Sequence, residues 1–315
     1  MSGKTILVAA FLAAMIFQPA PPAGCLDING TFGLGNIGFA VDRAAADTTY
    51  TGTPLFWDGS ITLSQNISDT FYIEGGFIRD PILRNYASTL LQYRTDYVTV
   101  GMGALLGMFN SWTPLVKSGV SIYFRLEVPG AIFLSFRSDN SLRGSLFDTG
   151  DYTQSNSALS LGFSVLNAIC TLGLDYKEFA VNSSGVIVID SLTDYSLLVE
   201  MFKKNIPFRL SLSFSYQYLL KNYTDGLTNP AAGLNSLIAG LRMDFIFSRS
   251  FSLFLDSENA LYSWGAGQLT GVSILPFAPY LFRAHAGFTI SLGAPAGAPP
   301  TEEPAAAAAD TTAGH

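Results

Sequence analysis

Charge is scarce in this chain. Of 315 residues, 17 are Lys or Arg and 24 are Asp or Glu, so charged side chains make up only 13%. That is about half of the ~25% usual in soluble domains. The net charge of −7, with no cluster of Lys or Arg, argues against a nucleic-acid partner. Cysteine and histidine are nearly missing, with two of each. No Cys/His set at metal-ligand spacing can be assembled, so no metal and no cofactor are expected. The histidines are His285 and His315. A hydrolase or acyltransferase built on a histidine base has little to work with, and the chain reads as a non-enzyme. Gly33-Leu34-Gly35 and Gly101-Met102-Gly103 fall within alternating stretches, not at a strand–helix turn, so a phosphate loop is excluded.

Long apolar runs are also lacking. The one that occurs, Ile6–Phe17, has twelve residues, against the ~20 a membrane helix needs. With Lys4 before it and Gln18–Gly24 (QPAPPAG) after it, residues 1–24 read as a secretory signal peptide; an N-terminal anchor helix is the alternative. Cys25 follows Pro-Ala-Gly, as at a lipoprotein acylation site, but Pro22 stands where an aliphatic residue belongs.

What the chain has is alternation. In Phe208–Lys221, Phe208, Leu210, Leu212, Phe214, Tyr216 and Tyr218 share one parity, and Arg209, Ser211, Ser213, Ser215 and Gln217 the other. A period of two sends neighbouring side chains to opposite faces of a strand. The pattern recurs from Leu26 to Leu292, and a chain with 49% hydrophobic residues needs somewhere to put the apolar face. Buried core strands read as continuous apolar runs, whereas a wall between lipid and water alternates. The fold expected is all-β: a closed antiparallel transmembrane barrel over 25–292 of about 12 strands, within a range of 10–14. Breaks such as Asp80–Ala87, Asp139–Tyr152 and Trp264–Tyr280 read as long loops. Asn110–Lys117 and Ser248–Ser250 read as short turns, and both chain ends fall on the short-turn side. Thr89–Met108 reads as one strand that extends beyond the membrane. Ser118–Ser138 reads as one kinked strand, with a hairpin at Pro129–Ala131 as the alternative. Residues 293–315, rich in Ala and Pro, read as a disordered tail.

The final stretch, His285-Ala286-Gly287-Phe288-Thr289-Ile290-Ser291-Leu292, carries a polar residue, then Gly, then two hydrophobics spaced by one. In this the chain resembles bacterial outer-membrane β-barrel proteins, whose last strand bears an assembly signal; His285, Gly287, Ile290 and Leu292 match it. Members of that class usually end on this strand, and here 23 residues follow. The resemblance implies a location in the outer membrane of a diderm bacterium, with both termini periplasmic. It also implies outer-membrane lipid, the barrel-assembly machinery and periplasmic chaperones as partners.

Inward parity then gives the lumen candidates: Glu74, Arg125, Glu127, Asp175, Lys177, Asp194, Glu200, Arg209, Arg242, Asp244, Asp256, Glu258, Arg283 and His285. Asp58 shares that parity. Mixed charges among Ser, Thr and Gly can hold water as a porin-like passive pore for small hydrophilic solutes, or pair with each other and seal a structural or surface-adhesion barrel. A third reading is transport of hydrophobic small molecules. It rests on the apolar Trp264–Tyr280 segment, which could plug the barrel mouth.

Overall fold

The computed structural model describes residues 26–35, 56–109, 115–142, 152–165, 168–183, 186–201, 207–224, 231–248, 250–266 and 281–292. Residues 1–25, 267–280 and 293–315, on which the expected signal peptide, mouth plug and tail fall, lie outside them. Fourteen strands run in chain order: β1 (Leu26–Gly35), β2 (Phe56–Asn66), β3 (Phe71–Asp80), β4 (Arg84–Arg94), β5 (Val98–Phe109), β6 (Leu115–Val128), β7 (Ile132–Ser141), β8 (Tyr152–Val165), β9 (Ala168–Ser183), β10 (Val186–Met201), β11 (Phe208–Thr224), β12 (Ala231–Ser248), β13 (Phe251–Ala266) and β14 (Phe282–Leu292). Each pairs antiparallel with the next, and β14 pairs with β1 from Leu26↔Leu292 to Gly35↔Arg283, which closes the barrel. Closure leaves no unpaired sheet edge facing lipid.

The count exceeds twelve because two expected strands are hairpins. Within Thr89–Met108, Thr95 makes the turn: its Oγ1 donates to the Val98 carbonyl (2.9 Å) and accepts from the Val98 amide (3.0 Å). A hydroxyl does the work usually signalled by Gly or Pro. Within Ser118–Ser138 the Pro129–Ala131 hairpin is the one formed. Gly130 takes a positive φ of 71°, and the Ala131 amide donates to the Val128 carbonyl (3.0 Å). The two corrections together preserve the alternation of rims. The turns at 67–70, 95–97 and 129–131 lie at one rim (the turn rim), together with the adjoining ends of β8 and β9, β10 and β11, β12 and β13, and with Leu26 and Leu292. The paired ends of β5 and β6, Phe109 and Leu115, lie at the opposite, loop rim and not at the turn rim expected for Asn110–Lys117. The break at Asp80–Ala87 keeps its expected place at the loop rim but is the tight β3–β4 turn and not a long loop, with Arg84–Ala87 already in β4.

Alternation sets the two faces as expected. Phe214 and Met102 point outward and are 51% and 70% exposed, while Ser211 and Gln217 point inward and are buried. Aromatic side chains pair across strands on the outer face near both rims. At the turn rim these are Phe71–Tyr93, Phe208–Phe245 and Phe247–Phe251, with ring centroids 5.4–5.6 Å apart. Toward the loop rim, Tyr195, Tyr216, Trp264 and Tyr262 form a row, and Phe32 stacks on Trp57. Amphipathic rings favour the two bilayer interfaces, and the wall between is the apolar band. Strands β9–β13 have 16–18 residues, more than the ~9–11 of a tilted crossing. They carry the barrel beyond the upper aromatic row at the loop rim.

Candidate functional site

The lumen is asymmetric. Most inward residues of β4–β8, among them Tyr86, Leu90, Leu105, Ser121, Tyr123, Phe133 and Gln154, are buried. The packing there leaves a cavity of about 10 Å³, lined by Leu83, Tyr86, Leu105, Asp139, Gln154 and Asn156. On the other side Gly173, Asp175, Asp194, Ser196, Ser213, Ser215 and Glu258 face inward yet stay half-buried. Their outward neighbours face lipid, so this exposure is to the interior. One half of the lumen is filled, and the other keeps room for water.

The β3–β4 turn crosses above that wet half. Asp80 shapes it: Oδ1 accepts from the amides of Ile82 (2.7 Å) and Leu83 (2.9 Å), and Arg84 follows at φ 69°. The other oxygen, Oδ2, meets Lys177 Nζ on β9 at 2.6 Å. Side-chain exposure of the pair is 4% for Lys177 and 1% for Asp80, so the bond is shielded from water. Arg84 meets Asp190 on β10 at 2.9 Å, and Gln154 Nε2 donates to the Leu83 carbonyl. Between these ties Ile82 packs on Leu192, Leu219 and Leu234, a burial that stabilises by roughly 1.5–3 kcal/mol. Beside it Ile238 packs on Leu281, with Leu234 and Ala260 against them. β3 and β4 lie five to seven places from β10–β12 in a ring of fourteen, so the tip leans on the far wall.

The lumen candidates sort into pairs and singles. Arg137 joins Glu74 (3.1 Å) and Asp139 (3.2 Å). Arg125 joins Glu127 at 2.9 Å, with its guanidinium over Phe133. Arg242 joins Asp244 at 2.9 Å, over Phe254. Arg283 Nε donates to Glu258 at 2.9 Å. His285 sits between Asp58 (Nε2–Oδ1 3.0 Å) and Asp256 (Nδ1–Oδ2 3.6 Å). Asp58 and His285 meet above β1 only because residue 33 is Gly; a Cβ there would lie 2.0 Å from Asp58 and 2.1 Å from His285. Asp194 accepts from Gln217 at 2.6 Å. Asp175 stands directly opposite Asp194 in the β9–β10 ladder. Glu200 is buried, and Arg209 is exposed at the turn rim opposite Asp244.

Of the assembly-signal positions, His285 and Gly287 face inward, with Phe254 covering Gly287. Ile290 and Leu292 share the outward parity, opposite Ile28 and Leu26.

Sequence reasoning missed Asp80, Arg84, Arg137, Asp139 and Asp190. Four of the five lie in or beside supposed loops. Arg137 was legible, since it shares parity with Ser135 and follows the outward Phe136. Among the described residues no group of three or more His, Cys, Asp or Glu could hold a metal.

A closed barrel with an apolar exterior, aromatic rows at both rims and a charged interior is a β-barrel of the outer-membrane type. No family model matches the chain. No curated sequence matches it either. Solved structures similar to it include an outer-membrane channel from Pseudomonas putida F1 (11% identity, TM-score 0.48, 87% of this chain and 97% of that one). Another is OmpF of Salmonella typhi in complex with daunomycin (10%, 0.40, 85% and 97%). A third is CymD, a monoaromatic hydrocarbon channel (9%, 0.36, 89% and 92%). At these identities the likeness is one of fold alone.

Proposed function

We propose that the protein is an outer-membrane channel for small hydrophilic solutes, closed at its loop rim by the β3–β4 tip. The turn rim and both ends of the described barrel then face the periplasm. The supporting observation is the half-buried polar face of the interior on β9–β11 and β13, beneath a cap built from a single turn. A barrel sealed for structure alone has no use for a wet half. The cap rests on two ion pairs, one hydrogen bond from Gln154 and one apolar side chain, a small set of contacts to release.

Planar-bilayer recording tests this. Refolded protein should open in brief steps, and Asp80→Ala/Ile82→Ala should lengthen or enlarge them. Silence from both proteins at high load sinks the channel and favours the sealed scaffold. That second reading draws on the filled half around Arg137, Glu74 and Asp139, where ion pairs stiffen the wall.

A further inference from the structure

We propose that the wet face of β9 and β10 selects hard inorganic cations, and that Asp175, Asp194, Thr171 and Glu200 set this preference. The inference rests on the channel reading and names its solute class. Asp175 and Asp194 are direct partners in the β9–β10 ladder, and both face the lumen. Like charges directly opposite each other destabilise a sheet, so the pair calls for a counter-charge. The cations nearest in the fold are committed elsewhere: Lys177 to Asp80, Arg283 to Glu258 and Arg242 to Asp244. Gln217, which donates to Asp194 Oδ2, is neutral, and Asp194 Oδ1 is buried with no hydrogen-bond partner.

A second observation comes from the inward rows below. Thr171 is 5% exposed and Glu200 9%, and Thr171 Oγ1 and Glu200 Oε2 are both buried without a partner. In the ladder Gly173 lies opposite Ser196, Thr171 opposite Leu198 and Ile169 opposite Glu200. Ser196 Oγ covers Gly173, where a Cβ would come within 2.4 Å of it. Carboxylate and hydroxyl oxygens therefore descend one face from mid-barrel to the turn rim. Oxygen ligands of this kind suit hard cations, and a ring or row of carboxylates excludes anions from a narrow pore. Arg209, at the turn-rim mouth, lies opposite Asp244.

The reversal potential in a KCl gradient reads the preference. The full chain, and the Asp80→Ala/Ile82→Ala form if openings of the wild type are too brief, should be more permeable to K⁺ than to Cl⁻. In Asp175→Asn/Asp194→Asn/Glu200→Gln the permeability ratio should fall toward 1 while openings persist. Thr171→Val should weaken block by added Mg²⁺ without abolishing conductance. Openings that are anion-selective, or cation selectivity untouched in the triple variant, overturn this inference and leave the channel standing. Absence of openings in every form overturns the channel and this inference with it.

Discussion

Lys177 of β9 reaches across the barrel to Asp80 of β3, with Nζ 2.6 Å from Oδ2 and both side chains shielded from water. The same carboxylate holds the β3–β4 turn through two backbone amides. One residue thus sets the shape of the tip and fastens it. Breaking a buried pair by removing one partner costs about 3–5 kcal/mol, because a lone charge remains. Lys177→Met and Asp80→Asn should each lower stability by that order. Lys177→Met/Asp80→Asn should lose less than the two singles together. Urea unfolding of the four proteins in detergent measures the coupling, and strict additivity would show that the bond is not formed.

Gly33 is the second point of test. Its missing Cβ leaves the space where Asp58 and His285 meet. Gly33→Ala should cost about 1–3 kcal/mol through overpacking. Placed on an Asp58→Ala/His285→Ala background, it should cost markedly less, because both obstructions are gone. An equal cost on both backgrounds would assign the effect to the strand backbone instead.

Gly130 gives a contrasting case. It has positive φ, but nothing lies within 4 Å of where a Cβ would stand. Gly130→Ala should therefore cost only the backbone term, about 1 kcal/mol. A cost several times larger, with no contact for the added Cβ to explain it, would contradict the hairpin at Pro129–Ala131.

Why the alternation located the wall but miscounted its strands is visible at these turns. A period of two depends only on which side faces lipid, and Phe208–Lys221 shows it without interruption. A tight turn with an odd number of residues keeps that parity, as Pro129–Ala131 does. Two strands then read as one. The Thr95 turn carries neither Gly nor Pro. The lumen charges were legible one at a time from parity, but their partners were not, since Arg137 meets Glu74 from four strands away. The β3–β4 tip was hidden for another reason. Pro81, Ile82 and Leu83 read as an ordinary break, and only the closed ring supplies the far wall that buries Ile82.

Cys170 offers a check on the outer face. It is a free, half-buried thiol on the parity of Leu172 and Leu174. In a Cys25→Ser background reconstituted in vesicles, a bilayer-soluble maleimide should label it, and a charged, impermeant one should not. Rapid labelling by the charged reagent from water would turn β9 around and reverse the assignment of faces.

Trp57 and Trp264 belong to the upper aromatic row, and Trp57 is 48% exposed. With Trp112→Phe as background, lipids brominated near the headgroup should quench their emission more than lipids brominated at the chain ends. The opposite order would place the row at the bilayer centre.

The seam between β1 and β14 joins residues from the two extremes of the barrel sequence. No partial chain can own both sides of it, so the ring stays open, with two raw borders, until synthesis has passed Leu292. Contacts this distant along the chain form slowly, and bare strand borders invite pairing with the wrong neighbour. Biogenesis, more than the finished ring, is therefore where this molecule is most vulnerable. A protein that lost β14 would have an unpaired β1 and no means of shutting itself.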